Sequence, residues 1–171
     1  SEEEKLERLI EDLERKLKEL NDNLKESIDR VRKRTEELNR NLRESIKRVK
    51  EELERQNLRE DTVRDLEEKL RELHKRHEDH ARRSDKRLKE LHKEHEDLIR
   101  EVEKRLRELR RRGEPAEEVL RELEKLVEDL ERENRRLDKE SKDLLEENKK
   151  VNKDLDDESK RLLEEVSKEA K

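Results

Sequence analysis

Apolar residues recur along the first third of the chain at Leu6, Ile10, Leu13, Leu17, Leu20, Leu24, Ile28 and Val31. After Thr35 they resume at Leu38, Leu42, Ile46, Val49 and Leu53. At 100° per residue, spacings of three and four keep them in one stripe about 80–100° wide, the pattern of an amphipathic helix. The pattern breaks at Gln56-Asn57-Leu58-Arg59-Glu60-Asp61 and again at Gly113-Glu114-Pro115. Asn57 suits the left-handed position that closes a helix, with Leu58 folding back as its hydrophobic contact. Asp61 suits the next N-cap. Gly113 at C′ and Pro115 at N1 form the usual stop and start pair. Glu114 is a less usual cap, and Glu117 adds favourable charge to the first turn. Ser1 and Glu4 have capping-box spacing. The chain therefore reads as one domain, 1–171, of three helices at about 2–56, 61–112 and 115–170. Each spans roughly 80 Å at about 1.5 Å per residue.

Part of each stripe repeats at an interval of 18 residues. Asn21-Asp22-Asn23-Leu24-Lys25-Glu26-Ser27-Ile28 returns as Asn39-Arg40-Asn41-Leu42-Arg43-Glu44-Ser45-Ile46. Leu73-His74-Lys75-Arg76-His77 returns as Leu91-His92-Lys93-Glu94-His95. Leu137, Ser141, Leu144 and Leu145 return as Leu155, Ser159, Leu162 and Leu163. About five turns of an α-helix hold 18 residues, so such a pattern keeps to one face without supercoiling. The expected fold is all-α: an elongated antiparallel three-helix bundle of straight, untwisted helices of about 55 residues each. Both connections are short, which makes consecutive helices antiparallel neighbours. Reversing the second helix brings three polar zones to one level. Ser27 and Ser141 then lie near His92 and His95, and Ser45 and Ser159 near His74 and His77. Thr35, His80, Ser84 and Asn148 lie between them.

Buried His, Asn or Ser is costly when left unpaired, about 1–3 kcal/mol per group. Grouping these residues at one height lets them satisfy one another, because imidazole, hydroxyl and amide each offer donors and acceptors. His77 and His95 fall in the middle of the second helix's stripe, His74 and His92 at one margin, and His80 at the other. Asn134 and Asn152 sit inside the third helix's stripe. The candidate hydrogen-bonding set is thus Ser27, Thr35, Ser45, His74, His77, His80, Ser84, His92, His95, Asn134, Ser141, Asn148, Asn152 and Ser159. Asn23 and Asn41 read as rim residues.

Composition narrows the chemistry. The 171 residues are 60% charged and 25% hydrophobic, with no Phe, Tyr, Trp, Met or Cys. The 54 acidic and 49 basic residues are interleaved, for a net charge of −5. That leaves no basic stripe for a nucleic-acid duplex and no aromatic to stack on a base. No apolar run suggests a signal peptide, a transmembrane span or a membrane-surface helix, so a soluble protein without a targeting signal is expected and its compartment is undetermined. The pairs His74/His77, His77/His80 and His92/His95 share a helix face. No other helix supplies a histidine, however, and a zinc site needs three or four ligands. Serine and histidine neighbours alone do not make a nucleophile, and no glycine-rich turn presents an oxyanion hole. No metal, cofactor or enzymatic activity is expected. Glu, Asp, Lys and Arg fill the remaining surface as a solvated face.

The near-copied 18-residue units, the Gly113-Glu114-Pro115 loop, the capped ends and the missing aromatics together resemble computationally designed parametric helical bundles. The resemblance covers the whole chain, and the most similar kind carries built-in hydrogen-bond networks, some with buried histidines for pH response. It implies network roles for Ser27, Ser45, His77, His95, Ser141, Asn148 and Ser159, joined by Asn134 and Asn152. Many such designs are oligomers of helical hairpins, whereas three helices in one chain can close their own core. A spectrin-like or tropomyosin-like fragment would show more varied repeats and some aromatic or methionine core residues. Two classes of function follow: a structural scaffold with no natural ligand, or an interaction module switched by histidine protonation. A monomer needing no partner is expected, with self-association left open.

Overall fold

A computed structural model describes residues 1–111 and 115–170. Three helices make up the protein: α1 (Glu2–Arg55), α2 (Glu60–Arg111) and α3 (Ala116–Glu169). No strand occurs among the described residues. The fold is an all-α three-helix bundle. Each helix opens on carboxylates and ends on a cation, such as Glu2 to Glu4 and Arg55 in α1, which complements the helix dipole.

The helix ends follow local hydrogen bonding. The backbone N–H of Glu4 donates to the Ser1 hydroxyl at 3.3 Å, as the capping-box spacing predicts. α1 stops at Arg55, one residue before the expected end. Asn57 does not take the left-handed conformation, since no non-glycine residue among the described ones has a positive φ. The last turn is closed another way: Gln56 donates from its backbone to the Glu52 carbonyl at 3.0 Å and from its side chain to the Glu52 carboxylate at 2.7 Å. α2 begins at Glu60, so Asp61 lies inside the first turn and is not the cap. Arg59 takes the N-cap position, its carbonyl accepting from Val63 N–H at 3.0 Å. Pro115 likewise stands one residue before α3 begins, its carbonyl accepting from Glu118 and Val119. The expected roles of Gly113 and Glu114, and the expected end of the second helix at 112, lie outside the described residues.

Packing contacts group into two compact units. Unit 1 comprises Ser1–Arg30 with Leu88–Lys142, and unit 2 comprises Val31–Arg87 with Asp143–Lys171. In unit 1 the core holds Ile10, Leu13 and Leu17 of α1, Val102, Leu106 and Leu109 of α2, and Val119, Leu123 and Leu130 of α3. Glu14 of α1 pairs with Arg110 of α2, and Lys16 with Glu131 of α3. In unit 2 the core holds Leu42, Ile46, Val49 and Leu53 of α1, Leu66, Leu70 and Leu73 of α2, and Leu155, Leu162 and Val166 of α3. Arg76 of α2 reaches Glu158 of α3 with two nitrogens, at 2.6 and 3.0 Å. Within each unit α2 runs antiparallel to α1 and α3, as short connections require. Each fully buried Leu, Ile or Val contributes about 1.5–3 kcal/mol. The exposed ion pairs contribute little each.

Candidate functional site

Asn148 on α3 is fully buried in unit 2. Its amide nitrogen carries two protons and places one on each neighbouring helix: the Thr35 hydroxyl of α1 at 3.0 Å and the Ser84 hydroxyl of α2 at 2.7 Å. Thr35 and Ser84 are also buried. One side chain thus ties three helices at one level. Asn152, one turn on, donates to the Asn148 backbone carbonyl at 2.8 Å. The side-chain oxygens of Asn148 and Asn152 are buried without a hydrogen-bond partner among the described residues.

His77 occupies the same unit, with 1% of its surface exposed. Its Nε2 faces the Asn39 side-chain oxygen at 3.4 Å. That oxygen can only accept, so the bond places the proton of neutral His77 on Nε2. Nδ1 has no partner among the described residues. Burial lowers the pKa of His77 to about 4, and the Arg43 guanidinium of α1 adds to the effect. His80 is buried as well, and its pKa is lowered chiefly by that burial, with Glu147 of α3 opposing. In unit 1, His95 is as deeply buried as His77, and neither ring nitrogen has a partner among the described residues. Burial lowers its pKa too, with His92 and Lys25 contributing in the same direction and Glu96 opposing.

The serines are committed elsewhere. Ser141 donates to the Asp138 carbonyl of its own helix at 2.8 Å, and Ser159 does the same to Asp156 at 2.9 Å. From α1, the Ser27 hydroxyl stabilises the Asp138 carboxylate and the Ser45 hydroxyl that of Asp156. Lys142 and Lys160 hold the same two carboxylates, at 2.8 and 3.1 Å. Burial pushes both carboxyls up, but the bonds from Ser and Lys outweigh it and their pKa values end below the ordinary range. Each unit therefore carries one copy of the same arrangement, an Asp followed three residues later by a buried Ser and then by a Lys.

Ser27 and Ser45 are only half-buried, as is Asn134. His74 and His92 are exposed and do not enter the core. Each turns to a carboxylate one turn along its own helix, Glu78 at 3.0 Å and Glu96 at 2.9 Å. Their place at the margin of the stripe explains this, since the charged neighbour and water are both within reach there. Asn39, Asp138 and Asp156 are the participants that sequence reasoning missed. A signal existed for the aspartates: Asp138, Ser141 and Lys142 recur 18 residues later as Asp156, Ser159 and Lys160. Asn39 is buried beside half-buried Leu38, and the apolar neighbour obscured it.

Chemically, the arrangement is one of fixed donors and acceptors shared among helices. Ser141 and Ser159 spend their protons on carbonyls of their own helix. Among the described residues, no group of three or more His, Cys, Asp or Glu is placed to hold a metal ion, and no helix is long and apolar enough to cross a membrane. No family model, curated protein or solved structure matches the chain.

Proposed function

We propose that this chain is a designed structural scaffold with no natural ligand or reaction, whose buried polar side chains choose one helix arrangement over its rivals. The observation that carries this reading is the buried Asn148–Thr35–Ser84 triad, because it joins all three helices and serves no exposed surface. An apolar layer of the same volume would pack as well or better, but it would accept several registers. The near-identical Ser-Asp-Lys arrangement in each unit fits the same reading, as does the 18-residue repetition of the sequence. The test is the triple replacement Thr35→Val, Ser84→Ala and Asn148→Leu. It should unfold at the same or higher denaturant concentration while its amide NMR spectrum shows multiple species or its mass shows association. A single monomeric species with the parent's spectral quality would remove the specificity role.

A second reading has its own support: an acid-responsive bundle. Buried histidines in both units have depressed pKa values, so protonation acts against the folded state. The decisive measurement compares stability at two pH values, with and without His77 and His95.

A further inference from the structure

We propose that the α1–α2 face of unit 2 binds a single-chain amphiphilic anion, such as a medium-chain alkyl carboxylate. The face carries a groove of about 500 Å³. That lies within the usual range for small-ligand sites, about 300–1,000 Å³. Ile46 and Leu53 of α1 and Leu70 of α2 line its floor. Arg43, Lys47 and Lys50 of α1 and Arg71 of α2 stand around it, with Glu54 and Glu67 as counter-charges. Four cations against two carboxylates make the groove locally basic on a chain whose net charge is −5. Arg43, Lys50 and Arg71 also form no ion pair among the described residues, and Lys47 approaches Glu51 only at 4.0 Å. Other cations are held by carboxylates three or four residues away on their own helix, as Lys142 is by Asp138 and Arg100 by Glu96 and Asp97.

Charge complementarity selects the occupant. The aliphatic stems of the surrounding Lys and Arg, over a floor of nearly buried Ile46, Leu53 and Leu70, take a hydrocarbon tail, and the cations take a carboxylate or sulfate head through charge-assisted hydrogen bonds. A stable protein partner would bury about 800 Å² of surface on each side, far beyond this groove. The one large hydrophobic that is exposed, Leu9, belongs to unit 1. The corresponding face of unit 1 makes an internal contrast. Its groove is smaller, about 350 Å³, with Lys18, Arg107 and Arg110 around it, the last of them paired with Glu14.

The experiment is an amide NMR titration of the full chain with decanoate below its micellar concentration. Saturable shifts are expected within 43–54 and 67–74. Replacing Arg43, Lys50 and Arg71 together by Gln should weaken binding by about tenfold or more, since exposed charges act modestly but together. Uncharged decanol should bind weaker by a similar factor, and 0.5 M salt should weaken decanoate binding to the parent. Lys18→Gln with Arg107→Gln in unit 1 should change nothing. Failure to saturate, shifts spread equally over unit 1, or equal binding of decanol would each overturn the proposal. So would unchanged binding by a triple variant that keeps its helical circular dichroism. If that variant does not fold, the salt dependence of the parent decides, and an absence of weakening overturns the proposal.

Discussion

Asn148 and Ser141 are equally buried, yet they stand in different relations to the bundle. The Asn148 amide serves two other helices, so Asn148→Ala strands the Thr35 and Ser84 hydroxyls and leaves a void. A loss of about 2–4 kcal/mol in urea unfolding is expected. Ser141 bonds a carbonyl of its own helix that the helical ladder already serves, so Ser141→Ala should change stability by less than about 1 kcal/mol. If the two substitutions cost the same, the triad does not bind the helices together. The histidines add a pH dependence whose sign is fixed. The pKa of His77 falls from an ordinary 6.5 to about 4 on folding, so the unfolded chain binds the extra proton. Its stabilising contribution is complete above 6.5 and fades as pH drops towards 4. By pH 4.5 the loss is about 2–3 kcal/mol, and His80 and His95 act in the same direction. Asp138 and Asp156 are shifted down, so they lose their contribution only below their ordinary value of 3.8. A comparison of pH 7.5 with pH 4.5 therefore isolates the histidines from these carboxyls. The denaturant midpoint should be lower at pH 4.5, and His77→Asn with His95→Asn should shrink the difference. A double variant with the parent's full pH dependence would end the acid-responsive reading. At this scale, angular position within the stripe made the buried histidines legible, with His77 and His95 central. Their partners were not legible, because Ser141 and Ser159 found acceptors on their own helix in place of any histidine.

Helix existence and order were legible from periodicity alone, while the first connection was not. Asn57 offered the one side chain there suited to a left-handed turn, but that conformation carries a steric cost for any residue with a Cβ. Gln56 closes the last turn on Glu52 without it. As a result α2 starts a residue early, and its N-cap falls on Arg59, whose side chain cannot accept from the first backbone N–H groups. Arg59→Ser supplies that acceptor. It should stabilise the protein by about 0.5–1 kcal/mol and raise its thermal midpoint. The change leaves Glu60 and Asp61 in place to favour the same helix end. An unchanged or lower midpoint would show that the start of α2 does not limit stability.

At the scale of the whole molecule, the three-helix bundle was legible and the grouping into two units was not. The divisions after residues 30, 87 and 142 fall inside uninterrupted helices, where the helical hydrogen bonding does not break. Each unit nevertheless has its own apolar cluster drawn from all three helices. This bears on self-association. A helix with one apolar stripe can face two neighbours, and here both neighbours come from the same chain in each unit. Little apolar surface is left over: among the large hydrophobics of the described residues only Leu9 is exposed, at 44%. A stable homodimer needs a contiguous apolar patch of several hundred Å² on each partner, and a net charge of −5 adds mild repulsion between copies. Sedimentation equilibrium at neutral pH should therefore return the chain mass of 21.2 kDa across a tenfold range of concentration. A dimer or trimer mass would mean that the stripes are shared between chains, as in oligomers of helical hairpins. Leu9→Glu separates the remaining cause. If association persists in that variant, the cores themselves have exchanged partners; if it disappears, the contact was confined to the exposed leucine and the monomeric core stands.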